Sequence, residues 1–239
     1  LAASAAAAVN HVVDRRIDAI MNRTRHRPVS DGKVPPVYAL GFAVLLGTSG
    51  LSILAIFANP LTAWLTFASI IGYAVIYTLY LKRATPQNIV IGGVAGAAPP
   101  LLGWVAVTGH VDANALLLVA IIFAWTPPHF WALCIAKKEE YAEAGVPMLP
   151  VTHGEEYTRL QMLLYTILMV LVTVLPYLSG MSGVIYLMGV TLINVRFLMM
   201  LKRHADTHDN QDAMALFWYS IRYIMWLFLF LLVDHFVLL

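Results

Sequence analysis

The sequence predicts an all-α polytopic membrane protein, and three observations support this fold class. Hydrophobic residues make up 60% of the 239 residues and charged residues only 12%, and the mean hydropathy is +0.76. Soluble domains of this size carry far more charge. Apolar runs of about 20 residues, long enough to cross about 30 Å of hydrocarbon as helices, recur along the chain. The single cysteine, Cys134, lies in one of these runs, which excludes a disulfide framework.

The chain begins in an apolar segment that is too short to cross a bilayer. Residues 1–9 are mostly alanine and lack the basic start of a signal peptide. We expect this segment to be the second half of a membrane helix, with upstream sequence missing. Residues 1–239 are therefore interpreted as a single transmembrane domain that is incomplete at its N-terminus, with a partial first span and seven full ones.

The seven full spans follow in an antiparallel order. They are predicted at residues 37–57, 61–81, 89–108, 113–136, 160–178, 183–201 and 215–239. The turns at 58–60 and 179–182 are so short that each chain return must be antiparallel. Pro99-Pro100 is expected to kink the third span, and Pro127-Pro128 to interrupt the fourth.

The positive charges lie on one side of the predicted bundle. All of the 15 Lys and Arg residues except Arg196 and Arg222 fall in the loops 14–36, 82–88, 137–159 and 202–213. We call this side the basic face. By the positive-inside rule it faces the cytoplasm or the mitochondrial matrix. The sequence therefore predicts a protein of the bacterial cytoplasmic membrane or the mitochondrial inner membrane, with its active site on that side.

Residues 10–28 combine acidic and basic side chains at the basic face. In a helix Asn10, Asp14 and Asp18 would share one face, spaced about 6 Å apart. Their oxygens suit Mg²⁺, and five arginines nearby suit a polyanion. Such a pattern is more often a solvated helix end with i,i+4 ion pairs. Its place in a membrane protein favours a functional site for a magnesium diphosphate.

Three segments together resemble the heme-modifying branch of the UbiA prenyltransferase superfamily. They are the NxxxDxxxD pattern of residues 10–18, YTLYLKRATPQNIVIGGVAGAAPPLLGW (77–104) and WTPPHFWALCIAKKEEYAEAGVPMLPV (125–151). The resemblance covers nearly the whole chain and implies a UbiA-like bundle with nine helices in the intact protein. It also implies Mg²⁺-dependent transfer of a farnesyl group from farnesyl diphosphate to a vinyl group of heme b, with addition of water.

The resemblance assigns roles to residues at the basic face. Asn10, Asp14 and Asp18 would hold one or two Mg²⁺ ions, because an allylic diphosphate ionises readily only when the charge of the leaving group is neutralised. Some of the basic residues would be simple anchors of the basic face. The candidates for binding diphosphate are Arg15, Arg23, Arg27, Lys82 and Arg83.

The loop after the fourth span departs from the superfamily pattern. Where other members carry a second aspartate-rich motif, residues 136–145 read AKKEEYAEAG. Glu140 is a candidate metal ligand there, and Lys137 or Lys138 is a candidate phosphate clamp. Lys137, Glu140 and Tyr141 are therefore proposed catalytic residues, and the number of Mg²⁺ ions stays open.

Three side chains within the spans are further candidates for substrate binding. His129 would bind heme iron or orient a propionate, although a lone histidine is more often a satisfied core residue. Tyr77 and Trp125 would shield an allylic cation by cation–π contact, although packing is the simpler explanation for each.

Two other functions are compatible with the sequence. One is a UbiA-type prenyltransferase that acts on an aromatic or quinone precursor. The other is a membrane transporter, which would explain broken helices and polar residues within the membrane. The concentration of charge at one face favours an enzyme.

The lipid bilayer is the expected surrounding, and no nucleic acid partner is expected. By resemblance, heme A synthase or oxidase-assembly proteins are expected partners.

Overall fold

The computed structural model describes residues 1–238, apart from the side chains of Arg83 and Leu238. No β-strand occurs among these residues, so the predicted all-α class is confirmed. The helices are α1 (Ala2–Val13), α2 (Arg15–Ile20), α3 (Pro36–Phe57), α4 (Pro60–Ile71), a π-helix (Gly72–Leu81), α5 (Lys82–Ala84), α6 (Asn88–Gly96), α7 (Ala98–Thr108), α8 (Ala113–Ala136), α9 (Lys138–Glu143), α10 (Leu149–Thr152), α11 (Glu155–Leu178), α12 (Val184–Thr207) and α13 (Asn210–Leu238).

Seven helical segments of the described chain are long and apolar enough to cross a membrane, as the sequence predicts. The second joins α4 to the π-helix, and the third joins α6 to α7 through a break at Ala97. This break directly precedes the predicted kink at Pro99-Pro100. Helix α1 is apolar but shorter, with 12 residues.

Three helices extend further at the basic face than the apolar runs predict. Helix α11 begins at Glu155 rather than residue 160, α12 continues to Thr207, and α13 begins at Asn210. Hydropathy marks only the part of a helix that lies in hydrocarbon, whereas polar residues can continue the same helix into water. The predicted loop 202–213 is therefore wrong in extent, and a tight turn at His208, with a left-handed φ of 56°, replaces most of it.

The predicted interruption at Pro127-Pro128 is also wrong, because α8 runs unbroken from Ala113 to Ala136. Both prolines are buried in the middle of the helix. Helix α8 packs against α6, α7, α11 and α13. Neighbouring helices on several sides stabilise a backbone that lacks two N–H donors.

Buried polar contacts join the last three helices. The Tyr223 hydroxyl donates to Asn194 Oδ1 (2.6 Å), and Asn194 Nδ2 donates to Thr173 Oγ1 (3.0 Å). The Tyr186 hydroxyl donates to the Thr173 carbonyl (2.7 Å). Lipid tails weaken any hydrophobic drive for helices to associate, so hydrogen bonds and close packing fix the order of α11, α12 and α13.

Asp234 fastens the end of α13 to the start of α12 at the membrane face opposite the basic face. Its buried carboxylate accepts hydrogen bonds from Ser182 Oγ (2.6 Å), from the Gly183 backbone N–H and from the Tyr186 backbone N–H (3.1 Å). These N–H groups lie at the start of α12, where no intrahelical acceptor exists. Asp234 therefore caps α12 from a different helix.

We expect Asp234→Ala to lower the free energy of unfolding by about 1–3 kcal/mol, because it leaves buried donors without an acceptor. Denaturation in mixed detergent micelles, followed by circular dichroism, measures this change. His235→Ala is the matched control, since the His235 side chain is exposed. Equal stability of the two variants would contradict the capping role.

Candidate active site

A cavity of about 210 Å³ lies at the basic face and collects six polar residues of the 10–28 segment. Its walls come from α1, α2 and the turns that follow α2, from the π-helix and the start of α5, and from α8 and the segment that follows it. The lining residues are Asn10, Asp14, Asp18, Met21, Arg23, Thr24, Arg27, Tyr73, Tyr77, Lys82, Phe130, Tyr141, Val146 and Met148. We call this space the ladder cavity.

The predicted row of oxygen ligands is present on one helical face. Helix α1 ends at Val13 and α2 begins at Arg15, but the helical register continues through Asp14, whose N–H donates to the Asn10 carbonyl (2.9 Å). Asp18 N–H likewise donates to the Asp14 carbonyl (2.8 Å). The i, i+4, i+8 spacing therefore places Asn10, Asp14 and Asp18 in sequence along the cavity wall, and all three side chains are buried.

Each buried carboxylate of this row, which we call the ladder, lies beside a cation. Lys82 Nζ is 2.5 Å from Asp14 Oδ2, and Arg27 Nη1 is 2.7 Å from Asp18 Oδ2. Asn10 Nδ2 donates both to Asp14 Oδ2 (2.9 Å) and to Thr78 Oγ1 (3.3 Å). Buried charges require such partners. The cavity therefore combines fixed negative and positive charge within one small volume.

The donor set of the ladder fits a hard divalent cation. Mg²⁺ is commonly held by one or two carboxylates together with phosphate oxygens and water. Asp14 and Asp18 supply two carboxylates, and Asn10 supplies an amide oxygen. Within residues 1–238, no group of three or more His, Cys, Asp or Glu side chains could hold a metal ion.

The π-helix shapes the opposite wall of the ladder cavity. The Thr78 hydroxyl donates to the Tyr73 carbonyl (2.8 Å), five residues earlier, which is the spacing of a π-helix. Sequence reasoning missed both Tyr73 and Thr78; the available signal is a threonine four residues before Lys82 in an apolar run. Asn88, fully buried, donates to the Lys82 carbonyl (3.3 Å) and supports the backbone of that lysine.

Tyr77 occupies its place because Gly92 has no side chain. A Cβ atom at Gly92 would overlap the Tyr77 ring at Cδ2. The Tyr77 ring stacks on Tyr73, with ring centroids 5.8 Å apart. These aromatic faces lie beside the charged end of the cavity, so the same space offers both polar and apolar contacts.

The other predicted basic residues are distributed unevenly. Arg23 and Arg27 line the ladder cavity with Lys82. Arg15 is exposed on α2 and does not line the cavity. The side chain of Arg83 lies outside the described part of the structure. The diphosphate contacts proposed for Arg15 and Arg83 stay predictions.

The loop after α8 divides between two cavities. Tyr141 lines the ladder cavity, where burial raises the pKa of its phenol and keeps it a neutral hydrogen-bond donor. Lys137, Lys138 and Glu140 line a separate cavity of about 410 Å³. The structure therefore does not bring these three to the ladder, and their catalytic, phosphate-binding and metal-binding roles stay predictions.

Local ion pairs explain this division. Lys137 Nζ is 2.8 Å from Glu140 Oε1, one turn along the chain, and Lys138 Nζ is 3.2 Å from Glu155 Oε1 at the start of α11. Helix α9 thus turns its charged face away from the ladder and its Tyr141 face toward it. The sequence shows these charges but not which side of the short helix they occupy.

His129 and Trp125 lie together where α8 meets α13, outside the ladder cavity. The His129 ring stacks between Trp125 (centroids 4.2 Å apart) and Phe217 (4.8 Å). Trp125 Nε1 donates to the Ser220 carbonyl (2.9 Å). The next residue, Phe130, does line the ladder cavity, so this aromatic stack adjoins the site without being part of its wall.

The hydrogen bonds of Ser220 assign the tautomer of His129. Ser220 Oγ lies 2.6 Å from the Phe217 carbonyl and 2.6 Å from His129 Nδ1. A serine hydroxyl has one proton, and Ser220 donates it to the Phe217 carbonyl at 2.6 Å. His129 Nδ1 must then be the donor to Ser220, and Nε2 of the neutral ring keeps a free lone pair.

The seven spans and the buried, cation-paired ladder define an integral membrane protein with a charged cavity at one membrane face. The model of the UbiA prenyltransferase family matches residues 1–221, and the chain belongs to this family.

Bacterial relatives match nearly the whole chain. It is 61% identical to "Protoheme IX farnesyltransferase" of Marinobacter nauticus, over 99% of this chain and 78% of the relative. It is 62% identical to the protein of the same name from Ectopseudomonas mendocina, over 100% of this chain and 80% of the relative.

Two solved structures share the fold. A UbiA homolog from Aeropyrum pernix K1 has a TM-score of 0.75 at 18% identity, over 98% of this chain and 86% of that one. A structure concerned with digeranylgeranylglyceryl phosphate synthase has a TM-score of 0.79 at 20% identity, over 96% and 80%. At these identities the likeness shows the helical arrangement alone.

We expect Gly92→Ala to reduce stability by about 1–3 kcal/mol and to displace the Tyr77 ring, because the added methyl group overlaps that ring. Gly96→Ala is the matched control, since a Cβ there meets no atom within 4 Å. Thermal denaturation in detergent measures the loss. Tolerance of Gly92→Ala equal to that of Gly96→Ala would show that Tyr77 is not held in this position.

Proposed function

We propose that this chain transfers a farnesyl group from farnesyl diphosphate to a vinyl group of heme b, with addition of water, and so makes heme O. The observation that carries the proposal is the pair of buried carboxylates, Asp14 and Asp18, facing Lys82 and Arg27 in one cavity. The identity of about 60% to protoheme IX farnesyltransferases supports the choice of substrates.

The ladder cavity would bind the diphosphate end of the substrate. Asn10, Asp14 and Asp18 are the residues that would hold Mg²⁺, which neutralises the leaving group and polarises its bond to the farnesyl carbon. Lys82, Arg27 and Arg23 would contact the phosphate oxygens directly. Guanidinium groups bind phosphate in a bidentate way, and the lysine acts as a point charge.

Binding would exchange ionic partners rather than create new buried charge. In the structure Lys82 and Arg27 compensate the ladder carboxylates. A magnesium diphosphate brings cationic and anionic groups together, so the carboxylates can turn to the metal while Lys82 and Arg27 turn to phosphate. Each buried charge keeps an opposite charge beside it throughout, which limits the desolvation cost.

The apolar part of the ladder cavity would bind the start of the isoprenoid chain. Tyr73, Tyr77 and Phe130 line it beside the charged residues. Their ring faces stabilise positive charge on the allylic carbon, and their bulk excludes water that would quench it. Burial of about fifteen carbons at about 0.8 kcal/mol per CH₂ supplies much of the gross binding free energy.

His129 would contribute to binding of the porphyrin. The free lone pair at Nε2 suits iron, whereas a propionate would require an N–H donor at that position. The stacked rings of Trp125 and Phe217 keep the imidazole plane fixed. Iron ligation is therefore favoured over propionate binding among the two roles that the sequence allows.

The basic face is proposed to lie on the cytoplasmic side of a bacterial membrane. The bias of Lys and Arg toward this face supports that orientation, and the curated relatives named above are bacterial.

We expect Asp14→Asn to lower heme farnesylation by about two to three orders of magnitude, because charge stabilisation of the leaving group is lost. Membranes containing the protein are incubated with heme b, farnesyl diphosphate and Mg²⁺, and the mass of the heme is followed by chromatography. Asp31→Asn is the control, since Asp31 is exposed and pairs only with Lys33 at 2.6 Å.

Each outcome of this experiment is informative. A mass gain of farnesyl plus water that Asp14→Asn removes and Asp31→Asn retains supports both the acceptor and the ladder. Prenylation of an aromatic acceptor in place of heme would refute the proposed acceptor. Full activity of Asp14→Asn would refute the role of the ladder.

We expect purified protein mixed with heme b alone to show the absorption spectrum of imidazole-bound heme, and His129→Ala to lose it. This spectrum is expected because the free lone pair of His129 Nε2 can bind the heme iron. His110→Ala serves as the control, because His110 is exposed in the loop before α8. An unchanged heme spectrum in His129→Ala would show that another group, or none, binds the iron.

A further inference from the structure

A third cavity, of about 440 Å³, lies on the outer surface of the α12–α13 pair and shares no residue with the ladder cavity. Two arginines, Arg196 and Arg222, line it together with aromatic and aliphatic side chains. They are the two basic residues that lie outside the loops of the basic face. We call this space the arginine groove.

Neither arginine of the groove is neutralised by a described carboxylate. The ion pairs found within the described side chains include neither Arg196 nor Arg222, and both side chains are exposed. The Arg196 guanidinium lies 5.4 Å from the centre of the Tyr219 ring. Arg222 Nε makes a long hydrogen bond (3.4 Å) to the Trp218 carbonyl. Each guanidinium has five N–H donors, so most donors of both groups are available to a ligand.

Arg196 and Arg222 lie inside the membrane-spanning parts of their helices, where a positive charge without a partner is costly in free energy. Each lies roughly 16–18 Å along its helix from the ends at Thr207 and Asn210, and Arg196 lies roughly 9 Å inward from Lys202, at about 1.5 Å per residue. Charged side chains at this depth reach toward the headgroup layer or pair with an anion. The anion that a bilayer supplies at this level is a lipid phosphate.

An apolar part of the groove, formed by Leu192, Trp226 and Phe230, lies deeper in the membrane than the arginines. Helix α13 enters from the basic face, so Trp226 and Phe230 follow Arg222 inward; α12 runs the opposite way, so Leu192 is deeper than Arg196. Trp226 and Leu192 are exposed. A charged end at the interface with an apolar strip below it has the polarity of a phospholipid.

We propose that the arginine groove binds one anionic phospholipid, with its phosphate held by Arg196 and Arg222 and an acyl chain along Leu192, Trp226 and Phe230. Basic pockets between membrane helices on this side bind anionic headgroups through such contacts. The groove has no acidic lining residue, so it lacks the ligands with which a magnesium diphosphate is bound at the ladder. This assignment is independent of the proposed catalytic activity.

Native mass spectrometry of the delipidated protein tests the proposal. Phosphatidylglycerol and phosphatidylcholine are added separately in detergent, and the lipid retained on wild type is compared with that on the Arg196→Gln/Arg222→Gln double variant. We expect wild type to retain phosphatidylglycerol at least about tenfold better than phosphatidylcholine, and the double variant to lose this preference, since each basic side chain contributes about 1 kcal/mol.

Lys202→Gln/Arg203→Gln is the matched control, because it removes two charges from the basic end of α12 outside the groove. It should keep the lipid preference. Arg196→Lys/Arg222→Lys keeps the charge and should also keep most of the preference, and circular dichroism confirms that each variant is folded. These variants separate loss of the site from loss of the fold.

Three results would overturn the proposal. The first is equal retention of phosphatidylglycerol by wild type and by the glutamine double variant. The second is an arginine-dependent rise in thermal stability with inorganic phosphate that matches the rise with phosphatidylglycerol, which would indicate a site for free phosphate. The third is displacement of the lipid from wild type by heme b, which would assign the groove to a dicarboxylate.

Discussion

Each charge that is buried at the membrane boundary needs an opposite charge beside it, and the rest of the structure depends on this constraint. Asp14 and Asp18 are buried where α1 and α2 meet the basic face, and Lys82 and Arg27 reach them from different parts of the chain. The Asp14–Lys82 pair ties the first helices to the end of the π-helix, and the Asp18–Arg27 pair ties α2 to the segment that follows it. An ion pair of this kind adds little net stability but is costly to break, so it specifies one arrangement of the helices at this face.

Much of this arrangement could be predicted from the sequence because it rests on local periodicity. Apolar runs define the spans, and the spacing of Asn10, Asp14 and Asp18 defines a helical face without knowledge of the tertiary fold. What could not be predicted depends on contacts between distant segments. The unbroken course of α8 through Pro127 and Pro128 requires neighbours on several sides, and no local pattern reports them. The side of α9 that faces the ladder is likewise set by the pairing of Lys138 with Glu155.

The two halves of the proposed site differ in how they are built. The ladder side uses ion pairs and amide hydrogen bonds, which are polar and exchangeable, whereas the region around His129 is a stack of flat rings locked by one serine. The solved structures with a similar arrangement share only 18–20% of their residues with this chain. At these identities the likeness shows the helical arrangement alone, and under the proposed function the stacked region is the part of this chain that would contact the porphyrin.

The π-helix between Gly72 and Leu81 sets the direction in which the side chains that follow it point. A π-turn accommodates one more residue than an α-turn within the same length of helix. If the same residues formed an ordinary α-helix, each would advance the side-chain direction by about 100°, which is more than in the wider π-turns. Lys82 would then leave Asp14 and face another direction. The wider turn thus sets the angular position of the lysine, and the local irregularity of the backbone is what aligns two distant parts of the chain.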